Sequence, residues 1–75
     1  MPLLPQVKGE RVVRALRRAG WEVIRIRGSH HVLVHPERPE NTLVVPVHPR
    51  PLKRGTLADI LETAGLTVDE FKDLL

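Results

Sequence analysis

The sequence predicts an α+β domain in which a three-stranded antiparallel sheet is covered on one face by helices. Three observations support this prediction. Apolar residues recur at helical spacing in residues 8–19, Val- and Ile-rich segments follow with turn-forming residues between them, and two helix start signals lie near the end of the sequence. The predicted order is helix, three strands and two helices, in a single domain of residues 1–75.

The first predicted helix covers residues 8–19, with Val12 and Leu16 on its apolar side and arginines opposite. Gly20 is a natural residue to end it. Residues 1–7 contain two prolines in a short apolar run and no basic start. We expect them to form a loose arm rather than a signal peptide or a membrane span.

The predicted strands cover residues 21–27, 30–35 and 42–47, and the polar residues 37–41 are expected to form the loop of the second hairpin. Pro46 lacks an N–H and cannot donate to a β-ladder. The third strand should therefore lie at an edge of the sheet or stop pairing there.

Alternation along the first strand predicts Ile24 and Ile26 on one face and Val23, Arg25 and Arg27 on the other. The two arginines would then flank the following turn from the open face. Phosphate contact and simple solvation are both open interpretations of them.

The prolines of residues 48–51 make a stiff, extended connector. A helix is expected over residues 56–64, with Thr56 as its N-cap. Lys53 and Arg54 would lie beside the start of this helix, which favours anions, and are candidates for phosphate binding.

Gly65 should end that helix, and Thr67 and Glu70 have the spacing of a capping box. The capping box predicts a last short helix that buries Val68, Phe71 and Leu74 or Leu75. Its role is expected to be structural.

The strongest candidate for chemistry is the polar segment Gly28-Ser29-His30-His31 between the first two strands. A Gly-containing pair between Val- and Ile-rich runs is typical of a tight hairpin turn, which places His30 at the start of the second strand. Histidine, with an ordinary pKa of about 6.5, exchanges protons near neutrality. Spacing alone leaves a catalytic and a structural role for His30 equally open.

The four histidines do not have the spacing of a metal site. His30 and His31 point to opposite faces of a strand, and His31 and His35 would be roughly 13 Å apart at about 3.3 Å per residue. We expect His31 to pack in or beside the sheet, and His35 and His48 to lie at the surface or in turns. Neither a metal nor another cofactor is predicted.

Charge is distributed unevenly along the chain. There are 12 lysines and arginines against 9 acidic residues, for a net charge of +3, and the acidic residues are concentrated towards the C-terminus. A basic first half indicates a polyanionic partner, nucleic acid before membrane, or else a solvated basic helix face. Without cysteine there is no disulfide framework, so a cytoplasmic location is the default expectation.

Several short motifs, taken in order and spacing, resemble the HicA family of toxins from bacterial and archaeal toxin–antitoxin pairs. The resemblance runs from about residue 7 to residue 75. It is carried by Ala19-Gly20-Trp21, Arg27-Gly28-Ser29-His30-His31, His35-Pro36, Val45-Pro46-Val47-His48, Lys53-Arg54-Gly55-Thr56-Leu57, Ile60-Leu61 and Ala64-Gly65-Leu66.

The resemblance implies a fold similar to the double-stranded-RNA-binding domain and a metal-independent ribonuclease that cleaves mRNA and arrests growth. It implies a HicB antitoxin as partner, covering the active site. His30 matches the catalytic histidine of the family, and Gly28 and Ser29 match its turn. Arg25, Arg27, Lys53 and Arg54 are our candidates for phosphate binding. Whether His30 acts as base or acid stays open.

Two other functions are compatible with the same residues. A non-catalytic RNA-binding module would use the same basic surface. A protein-interaction domain would instead present it to an acidic partner. A ribonuclease would cut RNA, an RNA-binding module would bind RNA without cutting it, and a protein-interaction domain would not bind RNA.

Overall fold

The computed structural model describes residues 3–75, so Met1 and Pro2 of the predicted arm lie outside the described residues. Its order confirms the predicted α+β class, with a fold like that of the double-stranded-RNA-binding domain and a short additional helix at the end. No helix within residues 3–75 is long and apolar enough to cross a membrane. The elements are α1 (Gly9–Arg18), β1 (Glu22–Arg27), β2 (His30–His35), β3 (Arg38–Pro46), α2 (Arg54–Ala64) and α3 (Val68–Leu74).

The sheet is an antiparallel meander in the order β1-β2-β3, and the helices cover one of its faces. Leu33 and Leu43 are Cα partners on the covered face and are buried, whereas their neighbours Val32 and Val44 pair on the open face. The core consists of Val7, Val12, Val13, Ala15, Leu16, Trp21, Leu33, Leu43, Val45, Leu52, Leu57, Ile60, Leu61, Ala64 and Phe71.

Glycine at the start of α1 allows the helix to approach the end of β3 closely. A Cβ atom added at Gly9 would overlap the carbonyl oxygen of Pro46. The first turn of α1 is therefore seated directly on the last residue of β3. As predicted, Pro46 ends a strand that lies at an edge of the sheet.

The predicted face assignment in β1 is wrong at Val23. Val23 pairs with Leu33 of the covered face, whereas Arg25 pairs with Val32 of the open face, because a β-bulge leaves Ile24 without a Cα partner. An extra residue shifts the alternation by one position. Ile24 is 59% exposed as a result.

The predicted loop of residues 37–41 is also wrong in part. The chain turns at Pro36 and Glu37, and β3 already begins at Arg38. Most of the predicted loop is nevertheless unpaired. Arg38 pairs with His35 and Thr42 pairs with Val34, which leaves residues 39–41 without partners on β2. Pro39, Glu40 and Asn41 have the composition of a hairpin loop, which does not distinguish a loop from an unpaired segment within a strand.

The start of α2 and the end of the arm differ from expectation as well. Lys53, not Thr56, is the N-cap of α2, and no side chain caps it. Val7, expected in a loose arm, is only 5% exposed, and its carbonyl accepts a hydrogen bond from the Leu52 N–H at 2.9 Å. As predicted, Gly65 ends α2, in the left-handed conformation.

The capping box predicted for α3 is present. Thr67 Oγ1 accepts a hydrogen bond from the Glu70 N–H at 3.1 Å, and Glu70 Oε1 accepts one from the Thr67 N–H at 2.8 Å. The hydrogen bond from the Thr67 backbone, followed by the Thr67 side chain, holds the pKa of Glu70 below its usual value.

Acidification should therefore weaken α3 through Glu70. A carboxyl whose pKa is lowered in the folded state stabilises the fold above its unfolded-state pKa, and this contribution is lost as pH falls through the lower, folded-state pKa. We expect the wild type to lose more stability than Glu70→Gln between neutral pH and that acidic range. Urea unfolding of both proteins as a function of pH measures the difference, and parallel curves would contradict the assignment.

Candidate active site

The candidate site is built on the tight turn between β1 and β2. Gly28 and Ser29 are the two turn residues, and Gly28 has φ 56°. A type II′ hairpin turn requires a positive φ at its first central residue and a negative φ at its second. Glycine adopts a positive φ without steric cost. The turn places His30 at the first position of β2, as the sequence predicts.

His30 lies on the open face of the sheet, next to two arginines. It is the Cα partner of Arg27 in β1, and Arg25 pairs with Val32 two positions along β2. Paired residues, and residues two apart in one strand, share a face, so His30, Arg25 and Arg27 all project from the open face. All three side chains are exposed, which leaves them accessible to a large ligand.

The other two predicted cations lie at the start of α2, in a separate group. Lys53 lines a groove together with Pro46, and Pro46 is the Cα partner of His30 on β3. Arg54 lines a second depression on the side of the N-terminal residues Leu4 and Gln6. Of this pair, Lys53 is therefore the residue whose groove leads to the His30 turn.

The sequence analysis assigned no binding role to two basic residues of this groove, His48 and Arg50. Both are exposed and line the same groove as Lys53. The sequence signal that marks them is a basic residue beside each of several prolines. Stiff backbone holds such residues at the surface, but their position relative to His30 depends on how the chain folds.

A match to a protein-family model shows which family the chain belongs to. Residues 9–66 match the family described as the HicA toxin of bacterial toxin–antitoxin. This range contains the turn, all three strands and α2. The chain belongs to the HicA toxin family. It is therefore the toxin of a toxin–antitoxin pair, with an antitoxin as its partner. The comparison with curated proteins found no match.

His35 has a structural role in this HicA toxin, which corrects the expectation of a surface or turn position. Its Nδ1 accepts a hydrogen bond from the Glu37 N–H at 3.1 Å, and its Nε2 lies 3.2 Å from the Ala19 carbonyl oxygen. An imidazole nitrogen that accepts leaves the other to donate, so Nε2 carries the proton. The ring also stacks edge-on against Trp21, at 5.6 Å between centroids.

The remaining histidines lie where the sequence suggests. His31 is half-buried and pairs with Val45 on the covered face, and its Nδ1 is buried without a hydrogen-bond partner. His48 is exposed. Within residues 3–75 no three His, Asp or Glu side chains are arranged to hold a metal ion.

The cations of the HicA site have no acidic partners. Across the part of the chain that the structure describes, the one ion pair joins Arg14 and Glu10 on α1, at 2.9 Å. Arg25, Arg27 and Lys53 therefore keep their charge available for an anionic ligand.

Proposed function

We propose that this toxin is a metal-independent endoribonuclease that cleaves mRNA in the cytoplasm with His30 as its catalytic residue. The observation that carries the proposal is the placement of His30 on a rigid strand end, exposed, with Arg25 and Arg27 on the same open face. Catalysis needs a proton-transfer group held in position beside charge that stabilises the transition state. This part of the surface offers both.

The reaction that fits these groups uses the RNA as its own nucleophile. The ribose 2′-hydroxyl attacks the adjacent phosphorus, the bond to the 5′-oxygen breaks, and the fragments end in a 2′,3′-cyclic phosphate and a 5′-hydroxyl. His30 either accepts the proton of the 2′-hydroxyl or gives one to the leaving oxygen. Arg25, Arg27, Lys53 and Arg54 are assigned to phosphate binding, since guanidinium and ammonium groups stabilise negative charge on phosphate oxygens.

The proposed antitoxin partner is of the HicB type and covers the open face around His30. Support comes from apolar side chains that this part of the molecule leaves uncovered. Val44 pairs with Val32 on the open face and is 48% exposed, and Ile24, in the bulge next to Arg25, is 59% exposed. Exposed apolar side chains next to a charged site are typical of a surface that a protein partner covers.

The deciding experiment incubates purified toxin with a long single-stranded RNA in EDTA and identifies the ends of the fragments. We expect cleavage, with cyclic phosphate and 5′-hydroxyl ends. Intact RNA that still binds the protein would replace the proposal with a non-catalytic RNA-binding module. Absence of binding even at low salt would leave a protein-interaction domain.

Gly28 tests whether the turn positions His30. A Cβ at Gly28 would meet no atom within 4 Å, so Gly28→Ala is strained only by its φ of 56°. Strain of this kind costs about 1–2 kcal/mol. We expect Gly28→Ala to lose about this much stability and to cleave RNA more slowly, because relief of the strain moves His30.

Gly55→Ala is the matched control for the turn. Gly55 also has open space around its Cβ position, but it lies in α2 without a positive φ. Alanine there should keep or raise stability, since alanine favours helix. Full cleavage activity in Gly28→Ala would show that the turn does not position His30.

A further inference from the structure

We propose that the groove between the end of β3 and the first turn of α2 binds one nucleotide of the RNA strand, next to the nucleotide that reacts at His30. This inference rests on the proposed ribonuclease function and assigns binding roles to His48, Arg50 and Thr56. Its volume, about 670 Å³, lies within the roughly 300–1,000 Å³ range of small-molecule sites.

The groove is continuous with the His30 turn. Pro46, one of the residues that line the groove, is the Cα partner of His30. The next residue, Val47, donates its backbone N–H to the Ser29 carbonyl oxygen at 2.6 Å. An RNA strand with its reactive phosphate at His30 therefore reaches the groove with its neighbouring nucleotide.

The rim of the groove carries positive charge. Arg50, Lys53 and His48 line it, and none of its described lining residues is acidic. Arginine binds phosphate oxygens through two parallel N–H donors, and lysine acts as a point charge. The two charged groups, Arg50 and Lys53, favour a phosphate there over a neutral ligand.

Part of the groove lining is apolar and rigid. Pro46, Pro49 and Leu52 contribute to it, and Leu52 is anchored in the core. Proline fixes its own φ and restricts the residue before it, so the groove is formed before a ligand arrives. A preformed apolar surface suits the face of a ribose or a base and lowers the entropic cost of binding.

Thr56 supplies a hydroxyl that makes no hydrogen bond within residues 3–75. Lys53 is the N-cap of α2 and no side chain caps that helix, so the Thr56 hydroxyl does not bind the backbone at the helix start. Thr56 is half-buried and lines the groove beside Lys53. Its hydroxyl both donates and accepts hydrogen bonds, as a sugar hydroxyl or base edge requires.

The first test measures binding of a 2′-O-methyl RNA oligonucleotide, which cannot be cleaved because its 2′-oxygen is blocked. We expect Arg50→Gln to weaken binding about tenfold and to reduce the slope of log affinity against log salt by about 0.7. Thr56→Val should weaken binding without changing the slope, because it removes a hydroxyl and no charge.

Arg17→Gln is the matched control, since it removes an arginine charge outside the groove, in the last turn of α1, where Arg17 lies beside Trp21 and Glu22. If Arg17→Gln and Arg50→Gln lose the same RNA affinity, the subsite is overturned, because the loss then reflects only the lower net charge of the protein. Unchanged RNA binding in Arg50→Gln would overturn it too, and would favour an acidic peptide as the occupant of the groove.

A second test separates this inference from the proposed function. With cleavable RNA, Arg50→Gln should raise KM and leave kcat unchanged, the signature of a lost binding contact. If the wild type does not cleave RNA at all, the proposed function fails. If the wild type cleaves and Arg50→Gln has the KM of Arg17→Gln, the ribonuclease stands and the subsite fails.

Discussion

Replacing His30 with alanine is expected to slow RNA cleavage by about 10²–10⁴-fold, the usual contribution of a positioned acid or base. The fold should tolerate the change, because His30 is exposed at the end of β2 and makes no hydrogen bond through its side chain within the described structure. Single-turnover cleavage rates and thermal unfolding of both proteins measure the two effects.

The glutamine variant distinguishes proton transfer from binding at the same position. His30→Gln keeps a polar side chain of similar length but cannot exchange a proton near neutral pH. We expect it to be as slow as His30→Ala. If His30→Gln cleaves RNA at the wild-type rate, His30 is a binding residue, and the proton must be moved by another group.

Replacing Phe71 with alanine is expected to destabilise the domain by about 3–5 kcal/mol, as large-to-small changes in a core do. Phe71 is 0% exposed and is the buried anchor of α3. Domains are stable by only about 5–15 kcal/mol in total, so this loss is a large share. Equilibrium unfolding in urea measures it.

The Phe71 variant tests whether α3 is part of the core of the domain, because α3 lies beyond residues 9–66, the range that matches the family model. Lys72→Ala is the control, since Lys72 is exposed on the same helix and should change stability by less than about 0.5 kcal/mol. A cost below about 1 kcal/mol for Phe71→Ala would mean that α3 does not complete the core.

Local signals in the sequence were sufficient for most of the helices and strands. The apolar spacing of α1 and the capping box of α3 act between neighbouring residues, so they can be recognised without the fold. The bulge at Ile24 and the unpaired residues 39–41 depend instead on the register against β2. Register is decided by packing between strands, and no local pattern encodes it.

The candidate site likewise has one part that local signals predict and another that depends on contacts between distant segments. The position of His30 follows from the turn and from strand alternation, which are local. The groove at Arg50 depends on the path of residues 47–53, which the backbone hydrogen bond between Leu52 and Val7 helps to fix. That contact joins segments far apart in the sequence, so Arg50 could not be placed beside the His30 turn in advance.

The edges of the sheet influence how a partner protein can approach. Free strand edges invite other chains to extend a sheet, and bulges and prolines discourage this. Here β1 is interrupted by its bulge at Ile24, and β3 carries Pro39 and ends at Pro46. Docking by strand addition is therefore disfavoured at both edges, and we expect the antitoxin to bind through side chains on a face of the domain rather than by extending the sheet.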